Sequence, residues 1–388
     1  MSDRSLNKQT LVVHDVHNEQ YHGAVTMPIY QNSLFTFHSY DAFTTAMNDP
    51  LNHHLYSRGN NPTVNDLERR LALLEGGEQA RCFASGMAAI SAAVLSVIKS
   101  GDHIICIDQA YGPTKELIGS YLRKFDIEAT FVDGSSMDNI QQAVRDNTSL
   151  IFLESPTTLH FQLQNLSACA ELAKSIGAAT IIDNTWATPC YQNPLSLGID
   201  LVIHSLTKYV SGHSDGMGGV VIGSSERMKH LGMHEFLLHG GIMSPMTAAS
   251  MIKGLRTLPL RMEKFQENGL IVAGWLEKHP LVAKVNHPGL SSHPQHHLAL
   301  KQMSGSSSLF SFETNIPLLQ MRCWAERLTF FRIGLSWGGY ESLITVHPCQ
   351  RESSSVVRIY VGLEDPYELI DDLAQAFECI TEFEGVRR

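Results

Sequence analysis

The chain has 388 residues, too many for one small module and enough for a large α/β core with a second, smaller unit. Apolar residues make up 43%, with 29 glycines and 15 prolines, which excludes collagen-like and low-complexity chains. Its 29 basic and 39 acidic side chains leave a formal charge of −10, which argues against nucleic acid or an anionic membrane as the main partner. Charged residues are only 18%, so some surface is expected to be buried between subunits. The seven cysteines, Cys82, Cys106, Cys169, Cys190, Cys323, Cys349 and Cys379, are scattered and form no C-x-x-C pair. Such spacing reads as reduced thiols of a cytoplasmic protein. The first twenty residues contain no apolar leader core, and the longest nearly apolar run, Met87–Ile98, is too short for a bilayer.

Residues 1–57 show no sustained period. MPIYQNSLFTF (27–37) is too apolar to stay solvated, so this segment is expected to be an arm packed on a neighbouring subunit. From about 60 to 225 helical and strand patterns alternate. NDLERRLALLEG (65–76) carries Leu67, Leu71 and Leu74 on one face, and SGMAAISAAVLSVIKSG (85–101) runs from a capping Ser85 to Gly101. HIICI (103–107), ATFVD (129–133), LIFLE (150–154), ATIID (179–183), DLVIH (200–204) and GVVIG (219–223) read as strands, with helices at 113–125 and 168–177 between them. Continuous apolar strands separated by helices predict a mostly parallel sheet covered on both faces. A long helical stretch (246–280) then leads to an α/β mixture ending in a helix over 367–380. The expected division is an arm (1–57), a large domain (58–247) and a C-terminal small domain (248–388).

In such a sheet, ligands collect beyond the carboxyl ends of the strands. There the sequence places Glu154-Ser155-Pro156, Asp183-Asn184-Thr185 and Ser205-Leu206-Thr207-Lys208, and Ser85-Gly86-Met87 opens a helix. Singly, each has an ordinary reading as a cap, a loop salt bridge or a solvated charge. Together they supply what pyridoxal phosphate needs: a lysine for the aldehyde, a carboxylate for the pyridine nitrogen, and hydroxyls plus a helix N-terminus for the phosphate. Tyr111, after HIICI, is placed to cover the ring. The histidines suggest no metal site. His234-Glu235 is followed by His239 at i+5, about 140° round a helix and so on another face. His293, His296 and His297 read as core or surface residues.

Over residues 22 to the end the chain resembles the transsulfuration family of pyridoxal-phosphate enzymes. The matching motifs are Tyr56-Ser57-Arg58-Gly59-Asn60-Asn61-Pro62-Thr63, Ala84-Ser85-Gly86-Met87, Glu154-Ser155-Pro156, Asp183-Asn184-Thr185, Ser205-Leu206-Thr207-Lys208-Tyr209, Gly212-His213-Ser214-Asp215 and Lys253-Gly254-Leu255-Arg256-Thr257-Leu258. The resemblance implies an α/β fold of the aspartate-aminotransferase type (fold type I of the pyridoxal-phosphate enzymes) and a homotetramer of two catalytic dimers. It implies Lys208 as the Schiff-base lysine, Asp183 on the pyridine nitrogen and Tyr111 stacked on the ring. Gly86, Met87, Ser205 and Thr207 are then phosphate ligands, and Tyr56 and Arg58 reach the phosphate of the neighbouring subunit. Arg358 is expected to clamp the substrate carboxylate. Within the family, Ser336-Trp337-Gly338-Gly339-Tyr340-Glu341-Ser342-Leu343 and Asp183-Asn184-Thr185-Trp186 resemble the bacterial β-cleaving members. That implies cleavage of L-cystathionine to homocysteine, pyruvate and ammonia, with cysteine desulfhydration and γ-type chemistry as alternatives. Two positions depart from the family pattern. Thr158 stands where γ-acting members carry Asn, so a substrate contact there falls to Thr158, and Leu206 replaces a small residue.

Overall fold

Aliphatic strands flanked by capped helices build two sheets in this computed structural model, which describes residues 6–14, 22–349 and 354–385. The first sheet contains β1 (Gln79–Phe83), β2 (His103–Ile107), β3 (Glu128–Val132), β4 (Thr148–Glu154), β5 (Ala179–Asp183), β6 (Leu201–Ser205) and β7 (Gly219–Gly223). Their order is β1-β7-β6-β5-β4-β2-β3. The pairs β6–β5, β5–β4, β4–β2 and β2–β3 are parallel, whereas β7 runs antiparallel to both neighbours. Ile104, Ile105, Ile151, Phe152, Ile181, Ile182, Val202 and Ile203 are fully buried, as expected for strands covered on both faces. This is the expected α/β fold with a large, mostly parallel sheet.

The six expected strands are all present. β1, which lacks a continuous apolar run, was not foreseen. It buries Arg81 in an ion pair with Glu68 (3.1 Å). The helix expected over 85–101 ends at Leu95, and the one expected over 113–125 divides into Gly112–Gly119 and a 3-10 turn at Tyr121–Phe125. The stretch 246–280 also divides, into Pro245–Arg256 and Leu258–Leu276, because Thr257 leaves helical geometry just before Pro259.

The second sheet holds β8 (Lys284–Asn286), β9 (Leu309–Thr314), β10 (Arg332–Ile333), β11 (Leu343–Pro348) and β12 (Ser355–Tyr360), in the order β10-β11-β12-β9-β8. Central β12 carries Arg358, opposite Thr345 on one side and Ser311 on the other. Arg261 ties the helix at 258–276 to the lysine loop by donating to the carbonyl of Tyr209 (2.7 Å).

Parts of the expected arm, 1–5 and 15–21, lie outside the described residues. Lys8–Val13, read above as arm, is a helix packed on its own chain. Val12 is buried in the core, and Lys8 Nζ donates to Pro189 O and Asn193 Oδ1. Ile29, Tyr30 and Leu34 remain exposed. Among the described residues no helix is long and apolar enough to cross a membrane.

Candidate active site

The parallel order β6-β5-β4-β2 sets four carboxyl ends side by side, and the chemistry-bearing residues follow them in sequence. β6 ends at Ser205, with Lys208 three residues on. β5 ends at Asp183 and β4 at Glu154. Tyr111 follows β2 and caps the helix Gly112–Gly119.

Asp183 has two differently used oxygens. Oδ1 accepts from the Thr185 amide (2.9 Å) and hydroxyl (2.5 Å). Oδ2 has no hydrogen bond among the described residues and stays available to a cationic N–H. Burial raises the Asp183 pKa, opposed by the Thr185 bonds and by the electrostatic influence of His204 and Lys208. The Thr185 hydroxyl also accepts from the Ser205 amide (2.8 Å), which joins the ends of β5 and β6.

Lys208 Nζ donates to Ser336 Oγ (2.7 Å) and lies 5.3 Å from the centre of the Trp337 ring. Burial, helped by the nearby charge of Arg358 and opposed by Asp183, lowers its pKa from 10.5 to about 8. The uncharged amine is therefore accessible at mildly alkaline pH. Gly338 (φ +91°) makes this approach possible, because a Cβ there would lie 2.7 Å from the Lys208 carbonyl carbon. Trp337 also rests on Tyr209, with ring centroids 5.3 Å apart, so it serves both core and pocket.

At the other end of the pocket, Ser85 caps the helix Gly86–Leu95 through the Ala88 amide (3.1 Å). Gly86 packs on Ser205 so closely that a Cβ would fall 3.0 Å from Ser205 Oγ. Ser205 Oγ has no hydrogen bond among the described residues, and a helix N-terminus beside a free hydroxyl is an anion cradle. Met87 follows Gly86 in the first helical turn. The Thr207 hydroxyl is engaged with Gly218, accepting from its amide (3.1 Å). Leu206 is fully buried in the core. Arg358 donates to the Leu335 carbonyl (2.6 Å) and has no carboxylate partner among the described residues. The uncommitted Asp183 oxygen, the Gly86–Ser205 cradle, the low lysine pKa and the acid-free guanidinium together fit pyridoxal phosphate and an amino-acid carboxylate.

Glu154 is the residue that the strand-end reading singled out but gave no role. Its Oε2 accepts from the Tyr111 amide (2.7 Å) and its Oε1 from the Thr158 amide (2.8 Å). Burial and then the charge of Asp183 push its pKa well up, against those two bonds. Thr158 is thus turned toward Glu154 by its backbone. Thr185 and Gly338 were also missed as site residues, since their roles are visible only through contacts. Tyr56 and Arg58 make no hydrogen bond to Lys208 among the described residues. They are exposed and adjacent to each other, with the Arg58 guanidinium carbon 5.4 Å from the Tyr56 ring centre, on a loop packed against Leu237.

Fold and pocket together define an α/β enzyme that takes pyridoxal phosphate. Residues 9–378 match the family described as Cys/Met metabolism PLP-dependent enzyme, and the chain belongs to that family. It is 37% identical to cystathionine gamma-lyase of Bacillus subtilis (strain 168) over 97% of this chain and 100% of the relative. It is 36% identical to cystathionine beta-lyase of Lactococcus lactis subsp. cremoris (strain MG1363) over 95% and 98%. A putative O-acetylhomoserine (thiol)-lyase from Campylobacter jejuni, whose crystal structure carries a pyridoxyl-lysine phosphate, superposes with a TM-score of 0.90 at 31% identity, covering 96% of this chain and 100% of that one. The chain is accordingly a pyridoxal-phosphate-dependent carbon–sulfur lyase of the transsulfuration family.

Proposed function

We propose that the enzyme cleaves L-cystathionine at its β-carbon to homocysteine, pyruvate and ammonia. The observation that supports this choice is Trp337 beside Lys208, in the segment resembling the β-cleaving members. Pyridoxal phosphate, when bound, supplies the sink for the electrons left at Cα. Asp183 Oδ2 would keep the pyridine nitrogen protonated, and Gly86, Met87, Ser205 and Thr207 would hold the phosphate. The Tyr111 ring would cover one face of the cofactor. Arg358 orients the substrate carboxylate with a two-pronged grip. Lys208, uncharged, takes the Cα proton and returns a proton to the departing sulfur; Ser336 steadies its Nζ between these positions. One base suffices for β-cleavage. Cleavage at the γ-carbon needs a further proton removal at Cβ.

The same pocket accommodates cysteine, for which desulfhydration is the expected side activity. Tyr56 and Arg58, both exposed, would complete the phosphate site of a neighbouring copy in a cytoplasmic homotetramer built from catalytic dimers. Purified enzyme given L-cystathionine should yield pyruvate and homocysteine. Formation of 2-oxobutyrate and cysteine, or of cystathionine from O-succinylhomoserine and cysteine, would replace this reading with a γ-acting one.

A further inference from the structure

Away from the pocket, the helix beginning at Ser225 changes winding. Residues Ser225–Leu231 are α-helical, Gly232–Phe236 form a π-turn, and Leu237–His239 resume the α-helix. The Leu237 amide donates to the Gly232 carbonyl, five residues back. On a regular α-helix His230 and Glu235 would stand about 140° apart. The wider turn brings them round to the same side. One donor atom each from His230, His234 and Glu235 then lies within 4.8 Å of the others.

Two further observations point to a ligand. Glu235 Oε2 is buried and makes no hydrogen bond among the described residues, so its lone pairs are free to take a ligand. His234 Nδ1 lies 2.9 Å from the His230 carbonyl, which can only accept, so Nδ1 carries a hydrogen and Nε2 is the ring atom left for a ligand. Metal-bound imidazoles are held in this way, with the second nitrogen donating to a carbonyl. Both histidines are exposed, so a cation can reach them.

We propose that His230, His234 and Glu235 form a binding site for a divalent cation of the zinc type, with water in the fourth position. Two imidazoles and one carboxylate suit a borderline cation and tetrahedral geometry, whereas magnesium and calcium prefer oxygen ligands throughout. The site is remote in role from Lys208. It clamps the π-turn, whose far end packs Leu237 against Gly59 in the loop of Tyr56 and Arg58.

The test is calorimetric titration of chelator-stripped full-length holoenzyme with zinc chloride, alongside His230→Ala, His234→Ala, Glu235→Gln and Cys323→Ser, the last removing an exposed thiol. The expected result is a single saturable site, weakened about tenfold or more in both histidine variants and in Glu235→Gln, and kept in Cys323→Ser. Magnesium chloride should give no such site. Circular dichroism and the visible cofactor band should match the parent, so that a binding loss is not a folding loss. Equal zinc uptake by the parent and a His230→Ala/His234→Ala double variant, or no saturable uptake by the parent, would overturn the proposal.

Discussion

Glu154 and Asp183 face each other in register at the carboxyl ends of the adjacent parallel strands β4 and β5. They do different work. Asp183 keeps one oxygen uncommitted, whereas Glu154 commits both oxygens to backbone amides, those of Tyr111 and Thr158. The two loops that flank the pocket are thereby hung from a single carboxylate.

Glu154→Gln tests that arrangement. The amide keeps one acceptor oxygen and sets an NH2 donor against a backbone N–H, so one of the two loops is released. A buried amide left unpaired costs about 1–3 kcal/mol, and where that cost falls on the transition state kcat/KM drops about fivefold to 150-fold. Steady-state kinetics read the loss, with Glu154→Ala, which releases both loops, expected to fall further. Unchanged kinetics in Glu154→Gln would mean that the loops are held by other contacts.

The lowered pKa of Lys208 gives a pH dependence. In the proposed mechanism its neutral amine is the base, so activity should rise with pH as the group loses its proton. Because burial and Arg358 place that loss near 8 and not at 10.5, the ascending limb of kcat should fall near pH 8. A Trp337→Ala variant lets water in and should move the limb to higher pH. A profile flat from pH 7 to 10 would remove Lys208 as the titrating base.

Arg358→Lys keeps the charge and loses the fork. One ammonium cannot match both oxygens of a carboxylate while also holding the Leu335 carbonyl. KM for the amino acid should rise about tenfold or more, while the visible cofactor spectrum of the substrate-free enzyme stays the same. An altered resting spectrum would place Arg358 on the cofactor.

Gly338→Ala meets two obstacles, a left-handed backbone (φ +91°) and the Lys208 main chain at 2.7–2.8 Å. The backbone must shift. A loss of about 1–3 kcal/mol in stability is expected from strain of this kind, together with impaired activity because the displaced atoms carry the lysine. Thermal melting and kcat, compared with Gly274→Ala, where a Cβ would meet nothing within 4 Å, separate this from a general glycine effect.

Much of the candidate site could be placed from the sequence because it lies where strand grammar is strongest. The runs ending at Glu154, Asp183 and Ser205 are apolar on both faces and stop at polar residues, so their ends could be located without coordinates. β1 was not legible. QARCF carries a glutamine and an arginine, and becomes a strand only because β7 pairs with it and Glu68 neutralises Arg81. The helix at Lys8–Val13 is too short to show a period, and its Val12 is anchored by helices far along the chain. At 230–239 the sequence suggested His234 and His239 as the pair to weigh, and set them on different faces on the assumption of a regular helix. The π-turn instead groups His230 with His234 and Glu235, a change of winding that side-chain spacing does not reveal.

By itself the sequence determined the layered α/β fold, the family and the strand ends bearing Lys208 and Asp183, because these depend on local apolar runs and on motifs a few residues long. Only the tertiary structure decided that Glu154 holds two loops, that Gly338 leaves room for the lysine backbone, and that Trp337 and Arg358 both act on Lys208. Those relations join residues tens to hundreds of positions apart. They exist only once strand order and the packing of the second sheet have brought their atoms within a few ångströms.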